Sequence, residues 1–455
     1  MMSSKKYALL LAGSGLVFFV GLGAYVSYFE EDHNGVQRSQ NSSERHQADG
    51  RSLEDSKITS KTKKVSDEPS ALFNDPAINQ AWGLKKADAA RAWSVTKGSR
   101  EIVVAVIDTG IDVKHEDIKN NLWKNPGETG KDSSGRDKSS NGIDDDGNGF
   151  IDDVYGWNFV SNNHKLDDNH GHGTHIAGII GAEAGNGVGI IGIAPEVSLM
   201  ILKYYDPKVP NTDNLKNTVQ AIRYAVKMGA HIINYSGGGT EFSKEEFTAI
   251  AEAEKQGILF VAAAGNERSN SDQHHYYPAD YELTNIISVT AVDPSTEVLP
   301  SSNYGVETVD IAAPGQNILS LLPGSTYGYM TGTSQATAFV SGAAALVMAH
   351  KQAYKADDVR KYILQTGDAF QQLMSKTKTA RKLNLYKALT VLDQGVGATG
   401  VIAVNTVNMK NNFANDPNDK PSGSSEQMTS FGRSLLDAIQ KDRDTLGTQQ
   451  DEEVQ

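Results

Sequence analysis

The chain has 455 residues, with 56 acidic and 43 basic side chains and a formal net charge of −13 at pH 7. This length suffices for one large domain or two ordinary ones. The acidic balance and the lack of a basic stripe argue against nucleic acid as a partner. The sequence contains no cysteine, which excludes disulfides, thiol catalysis and cysteine-ligated zinc.

The N-terminus carries a targeting signal. Lys5 and Lys6 precede an uncharged stretch over residues 7–29, and three acidic residues follow it directly. The stretch is long enough to span a bilayer and exceeds the roughly 7 to 15 apolar residues of a signal-peptide core. With the basic flank inside, the remaining chain lies outside the cytoplasm. We expect residues 1–29 to be either an uncleaved anchor or a cleaved signal, so that the protein is membrane-anchored or secreted.

Three further regions follow from composition. Residues 30–73 are polar with few large apolar side chains, which predicts a linker, and residues 395–455 have the composition of a largely disordered tail. Between them, residues 74–394 alternate short apolar runs with amphipathic segments, a pattern typical of an α/β domain with a parallel sheet. Five apolar runs predict buried strands, at residues 102–107, 199–204, 231–234, 258–263 and 286–292.

Helices are predicted between and after these strands. Leu215, Val219, Ile222 and Val226 give one apolar helical face, which Gly229 would end. Ser243 and Glu246 have the spacing of a capping box before a helix over residues 247–256. Residues 336–349 are apolar on nearly all sides, which predicts a buried central helix.

Four polar residues mark a candidate site. Asp108 follows the first strand, at the end where open α/β sheets place their ligands, although a turn aspartate would look alike. His172 lies in a glycine-rich turn, and its neighbours His170 and His175 lack the spacing of a helical zinc motif. Ser334 heads the buried helix, where it could act as a cap or as a nucleophile favoured by the helix dipole. Asn266 follows the fourth strand.

The segments around these residues resemble those of the subtilisin-like serine proteases. They are Asp-Thr-Gly at 108–110, His-Gly-Thr-His at 172–175, Ala-Ala-Gly-Asn at 263–266 and Gly-Thr-Ser at 332–334, in the order known for subtilisin. The resemblance covers residues 74–393. It implies a three-layer α/β fold, with a mainly parallel central sheet and helices on both faces.

The resemblance also implies roles for these residues. Ser334 would be the nucleophile, His172 the general base and Asp108 the group that orients the imidazole. The side-chain amide of Asn266 would complete an oxyanion hole with the Ser334 N–H group. A serine endopeptidase that cleaves proteins or peptides through an acyl-enzyme is therefore expected, and we expect it to be monomeric. A peptide-binding pseudoprotease at the cell surface and an esterase are the alternatives.

Further residues are assigned by the same resemblance. Ser236, Gly237 and Gly238 would pair with an extended substrate, and Ala263, Ala264 and Gly265 would form one wall of the pocket for the residue before the scissile bond. Glu267 would either favour a basic residue there or remain a solvated surface glutamate. Gln335 and Ala338 depart from the family, in which methionine and proline are usual. Residues 30–71 are short and polar for a folded pro-region, so the route of maturation stays open.

Two structural calcium sites are predicted. Residues 144–152 place oxygens at loop positions one, three, five and nine, from Asp144, Asp146, Asn148 and Asp152, as at the start of a calcium loop. The alternative is an acidic surface turn. By resemblance to calcium sites of relatives, the second site would use Asp117, Asn186 and the carbonyl groups of Val188 and Ile190.

Overall fold

The computed structural model describes residues 72–351 and 355–391. The anchor or signal predicted at residues 1–29, the linker up to residue 71 and the tail at 395–455 lie outside the described residues. Within the described ranges, no helix is both long and apolar enough to cross a membrane. The boundaries of the catalytic domain therefore stay a prediction.

A nine-stranded sheet forms the middle of the molecule, in the order β10-β11-β7-β6-β5-β4-β1-β3-β2. All of its strands pair in parallel except β10 with β11, and β8 and β9 form a separate antiparallel pair. The strands are β1 (Gly98–Asp108), β2 (Gly156–Asn158), β3 (Glu196–Lys203), β4 (Ile232–Tyr235), β5 (Leu259–Ala263), β6 (Ile286–Val292), β7 (Ile311–Pro314), β8 (Ile318–Leu322), β9 (Thr326–Met330), β10 (Asp368–Ala369) and β11 (Arg381–Lys382).

Helices cover both faces of this sheet. They are α1 (Trp82–Lys86), α2 (Ala89–Trp93), α3 (His172–Gly181), α4 (Asn214–Lys227), α5 (Lys244–Lys255), α6 (Thr333–Lys351), α7 (Ala356–Thr366) and α8 (Leu385–Thr390). Side chains alternate along β1, so that Val104 and Val106 enter the core that contains α3 and α6. Ala105 and Ile107 enter a second core with α4 and α5. The predicted three-layer α/β fold is thus confirmed.

The five strands predicted from apolar runs correspond to β1 and β3 to β6. A strand buried on both faces is apolar almost continuously, which is why these runs were visible. β2 was missed because it has only three residues. The β8–β9 hairpin was missed as well, since Thr326 to Met330 has the mixed burial of a partly exposed strand.

The predicted helices occur with local differences. In α4, Val219 and Ile222 are buried as expected, whereas Leu215 in the first turn is 48% exposed and Ala221 takes the inner face. At the start of α5, the capping box is only half formed. The Ser243 side chain accepts the Glu246 N–H, but the Glu246 carboxylate accepts a hydrogen bond from the hydroxyl of Tyr281 instead of capping Ser243.

Candidate active site

The four predicted catalytic residues meet at the carboxyl edge of the central sheet. Asp108 ends β1, His172 begins α3 and Ser334 is the second residue of α6. Asn266 lies three residues beyond the end of β5. Because β1, β4 and β5 are adjacent parallel strands, their following loops open at the same edge, which is where open α/β sheets bind ligands.

Asp108 and His172 are joined directly. The Nδ1 atom of His172 lies 2.8 Å from Oδ1 of Asp108, which also accepts the N–H of Thr109. The aspartate is 3% exposed, while the imidazole keeps 22% of its surface exposed. Since Nδ1 is engaged by the carboxylate, Nε2 is the nitrogen left for proton exchange at the cleft.

Two opposing effects set the pKa of His172. Burial of the ring disfavours its charged form, but the negative charge of Asp108 and the hydrogen bond to it outweigh this effect, with a smaller contribution from Asp168. The pKa of His172 therefore lies above its ordinary value of 6.5. The imidazole is a base that is stabilised once it has taken up a proton.

Asp168 organises the turn that carries His172, and sequence reasoning missed it. Burial would raise its pKa, but hydrogen bonds from the turn outweigh this effect and lower it. The only signal in the sequence was its position four residues before His172. Its carboxylate accepts from the hydroxyl groups of Thr109 and Thr174 and from the N–H groups of His170, Gly171 and Thr174, at 2.7–3.0 Å.

Ser334 is 7% exposed and faces the loop after β4. Its hydroxyl donates to the carbonyl of Ser236 at 3.2 Å, and the hydroxyl of Ser236 donates back to the Ser334 carbonyl at 3.4 Å. Among the hydrogen bonds of the described residues, none joins Ser334 to His172. Without substrate, catalytic hydrogen bonds are often long or poorly aligned, and they tighten only in the complex.

Asn266 is oriented by the start of α6. Its Oδ1 accepts from the N–H of Thr333 at 3.1 Å and from the hydroxyl of Thr333 at 3.3 Å. The Nδ2 group is therefore the free donor end of the side chain, and a Cβ atom added at Gly332 would lie 3.5 Å from it. This amide lies beside the first N–H groups of a helix, a suitable setting for a developing negative charge.

The predicted substrate-binding residues flank these groups. Ser236, Gly237 and Gly238 follow β4, whereas Ala263 and Ala264 are buried at the end of β5 and Gly265 follows them. The carboxylate of Glu267 accepts a hydrogen bond of 2.7 Å from Nδ2 of Asn303. Glu267 is an exposed residue, as a surface glutamate would be, and this hydrogen bond holds its carboxylate in place.

At the calcium site predicted around Asp117, the side chains of Asp117 and Asn186 are in direct contact. Asp117 is fully buried and accepts from Nδ2 of Asn186 at 2.7 Å and from the N–H of Ile190 at 3.0 Å. Burial raises its pKa to about 7, against the hydrogen bonds and with the help of negative charges that include Asp75. Asp75, which sequence reasoning missed, is 2% exposed and accepts the N–H of Gly185. Val188 follows in the same loop and donates its N–H to Asn186.

The site predicted at residues 144–152 contains a different set of acidic residues in the structure. Carboxylate oxygens of Glu128, Asp146 and Asp153 lie within 4.8 Å of one another. Glu128 is fully buried, its Oε1 accepts the N–H of Asp145 at 2.7 Å, and its Oε2 is a buried atom without a hydrogen-bond partner. Burial raises the pKa of both Glu128 and Asp153.

Of the four residues predicted for this loop, only Asp146 joins that cluster. Asp144 accepts N–H groups of its own turn, at Asn148 and Gly149. Asn148 donates its amide N–H to Asp146 and Asp153 instead of offering an oxygen, and Asp152 accepts the N–H of Gly142. The spacing of the loop could not reveal Glu128, which comes from a separate segment, although Asp153 was next in sequence.

Comparisons with known proteins identify the family of the chain. The model of the subtilase family matches residues 99–395. A thermophilic serine proteinase of Bacillus sp. (strain AK1) is 36% identical over 299 residues, which is 66% of this chain and 64% of the relative. The major intracellular serine protease of Bacillus subtilis (strain 168) is 35% identical over 65% of this chain and 82% of its own. Thermitase of Thermoactinomyces vulgaris is 32% identical over 70% of this chain and 98% of its own.

Proposed function

This chain belongs to the subtilase family, whose relatives named above are serine proteases, and we propose that it hydrolyses internal peptide bonds of proteins through an acyl-enzyme. The observation that carries the proposal is the Asp108–His172 hydrogen bond of 2.8 Å at the same sheet edge as Ser334 and Asn266. A nucleophile, an oriented base and an amide donor are what acyl transfer needs.

The chemistry divides among these groups in order. The Ser334 hydroxyl attacks the scissile carbonyl carbon while His172 Nε2 takes the hydroxyl proton. Asp108 holds the proton on Nδ1 and stabilises the imidazolium. The oxyanion accepts hydrogen bonds from Asn266 Nδ2 and the Ser334 N–H. His172 then protonates the leaving amine, and a water molecule, activated by the same histidine, releases the acyl group.

The decisive experiment combines a covalent label with turnover. A fluorophosphonate should label Ser334 in the full chain, and a protein substrate should be cleaved. In Ser334→Ala both signals disappear, with a loss of about a millionfold in kcat, the magnitude measured for nucleophile removal in subtilisin. Ser94→Ala, an exposed serine, is the matched control and keeps both signals. A folded wild-type protein that neither reacts nor cleaves contradicts the proposal.

The same purified protein can be used to test the two alternative functions. A pseudoprotease would bind extended peptides without cutting them, and the presence of all four catalytic side chains at one edge speaks against it. An esterase would hydrolyse a simple ester far better than an extended peptide. Comparison of kcat/KM for the two substrates separates this reading from endopeptidase activity.

We also propose that the protein binds structural calcium at Asp117, with Asp75, Asn186 and the carbonyl groups of Val188 and Ile190. The fit rests on two buried carboxylates, Asp75 and Asp117, that raise each other's cost of ionisation. Oxygen-rich sites of this kind suit Ca²⁺. A bound cation would supply the missing positive charge and fix the loop over residues 183–190 to the start of the domain.

A second calcium ion is proposed at Glu128, Asp146 and Asp153. The unpartnered Oε2 of Glu128 lies in a cluster of three carboxylates, an arrangement that favours a divalent cation. Asp144, Asn148 and Asp152 are then residues that shape the loop through their own hydrogen bonds. This division of roles revises the ligand set expected from spacing alone.

We propose that the domain acts outside the cytoplasm as a monomer, on protein substrates and not on nucleic acid. The support is the charge pattern around residues 7–29 and the acidic composition. Mass spectrometry of the N-terminus of the native protein distinguishes an anchor from a cleaved signal. Recovery of the mature enzyme from the cytoplasm with an intact N-terminus contradicts the location.

A further inference from the structure

The loops after β4 and β5 are separated by the ring of Tyr276. A Cβ atom added at Gly238 would lie 2.5 Å from Cε1 of Tyr276, and one added at Gly265 would lie 3.0 Å from Cδ1. These two ring atoms are neighbours on one edge of the phenol. The ring thus lies against both glycines, and at Gly265 it shares the space with the Glu267 carboxylate and the Asn303 amide, which come closer still.

The backbone next to Tyr276 is fixed in this position. Tyr277 donates its N–H to the carbonyl of Gly239 at 2.7 Å, and Gly239 donates to the carbonyl of Tyr277 at 2.8 Å. The N–H of Tyr276 itself donates to Oδ2 of Asp280 at 2.8 Å. These three hydrogen bonds hold the backbone of the segment, so the ring can leave this space only by rotation of its own side chain or with loss of contacts to the Gly239 loop.

The filled space lies next to the reactive groups. Gly238 is two residues beyond Ser236, whose carbonyl accepts the Ser334 hydroxyl, and Gly265 directly precedes Asn266. A substrate side chain just before the scissile bond has to enter between these two loops. We propose that Tyr276 makes this pocket shallow, so that the enzyme selects small side chains such as alanine at that position. The inference rests on the proposed endopeptidase function.

The expected preference for small substrate side chains follows from the volume that the Tyr276 ring leaves in the pocket. A large side chain would have to displace the Tyr276 ring or remain outside the pocket, and it would then gain no burial. Pockets commonly distinguish substrates by tenfold or more for each methylene group. We expect kcat/KM for alanine to exceed that for phenylalanine by at least about tenfold. Lysine is a long side chain like phenylalanine, so the same ring should disfavour it, although the Glu267 carboxylate lies near Gly265.

The test uses the full chain and peptides that differ only in the residue before the scissile bond: alanine, leucine, phenylalanine or lysine. Active sites are counted by fluorophosphonate labelling. Tyr276→Gly should raise kcat/KM for phenylalanine at least about tenfold and leave alanine within about threefold. Tyr276→Phe keeps the ring and should keep the wild-type profile, which separates ring volume from the hydroxyl group.

A wild-type preference for phenylalanine, leucine or lysine overturns the inference, as does an unchanged phenylalanine-to-alanine ratio in Tyr276→Gly. If Tyr276→Gly does not fold, the peptide preferences of the wild type and of Tyr276→Ser test the inference instead. If the enzyme is labelled and cleaves peptides but prefers phenylalanine, leucine or lysine, only the role assigned to Tyr276 in the pocket is overturned. Absence of both labelling and cleavage overturns this inference together with the proposed function.

Discussion

The carboxylates of the catalytic edge and those of the outer loops are held in opposite ways. Asp168, under the turn of His172, accepts five hydrogen bonds and its pKa is lowered despite burial. Asp117 and Glu128 are fully buried, have fewer donors and lie beside other acids, and their pKa values are raised. Hydrogen-bond donors and neighbouring charges act together with burial to decide whether such an acid stays charged.

This difference separates the carboxylates that the protein's own hydrogen-bond donors stabilise from those for which a bound cation is proposed. At the catalytic edge the protein itself supplies every donor that its carboxylates need. In the outer loops, carboxylates face one another, and either protonation or the cation proposed above would relieve their repulsion. Loss of a catalytic carboxylate should therefore affect turnover, whereas loss of a cation should affect stability.

The largest expected effect tests the catalytic side of this comparison. In Asp108→Asn, the amide cannot hold the required proton on His172 Nδ1, and kcat should fall by about 10⁴-fold. The melting temperature should change little, because the amide oxygen can still accept the Thr109 N–H. Steady-state kinetics and thermal melts measure both. Asp167→Asn, an exposed neighbour of the His172 turn, is the control, and a loss below tenfold in Asp108→Asn would contradict the assignment.

Calcium removal tests the outer loops. At a concentration of 100 times Kd, bound calcium contributes about 2.7 kcal/mol to the free energy of unfolding. Chelation should therefore lower the melting temperature, while the protein that stays folded keeps its kcat. Asp117→Asn should remove the part of the calcium response that comes from its own site, whereas the exposed neighbour Glu116→Gln should retain the whole response. Equal melting temperatures with calcium and with chelator would contradict the proposal of structural calcium.

Glu246 allows the effect of burial on a carboxylate to be measured away from the proposed calcium sites. It is 4% exposed, and burial raises its pKa from 4.5 to about 7, against the hydrogen bond from Tyr281. Since the folded state holds this proton more tightly, the contribution to stability is full below about pH 4.5 and is lost as pH rises through 7. Glu246→Gln should remove about 2 kcal/mol of this pH dependence. Glu245→Gln, which is exposed, should leave denaturant melts at pH 5 and 8 as in wild type.

His172 gives a smaller effect, on the acid side of the activity profile. The general base must be neutral, so kcat/KM should rise as pH increases through its pKa. Because Asp108 and Asp168 favour the protonated ring, the midpoint should lie above the ordinary 6.5. Asp168→Asn should shift the midpoint downward. A wild-type midpoint at or below 6.5 in a plot of kcat/KM against pH is incompatible with this electrostatic picture.

The smallest expected effect is at Gln335, which is 2% exposed directly after the nucleophile. It offers no thioether for oxidation, so peroxide should inactivate the enzyme slowly. Gln335→Met should create rapid inactivation, while Met374→Leu, at an exposed methionine, should change nothing. Equal inactivation rates for wild type and Gln335→Met would show that this position does not limit tolerance.

The sequence predicted the features that are local. Asp108, His172, Asn266 and Ser334 each stand at the end of a strand or the start of a helix, and the periodicity of those elements is visible in the chain. Glu128 and Tyr276 were not identified, because their environments are formed by segments distant in sequence. Asp146 and Asp153 meet Glu128, and Gly238 and Gly265 meet Tyr276, only in the folded chain.

The position of α6 has a consequence for biosynthesis. This 19-residue helix contacts five strands, β1 and β4 to β7, and Ser334 lies at its start. A nascent chain that ends before Lys351 already contains Asp108, His172 and Asn266 but lacks the finished helix that places the nucleophile. Proteolytic activity is thus expected only once synthesis has passed the end of α6.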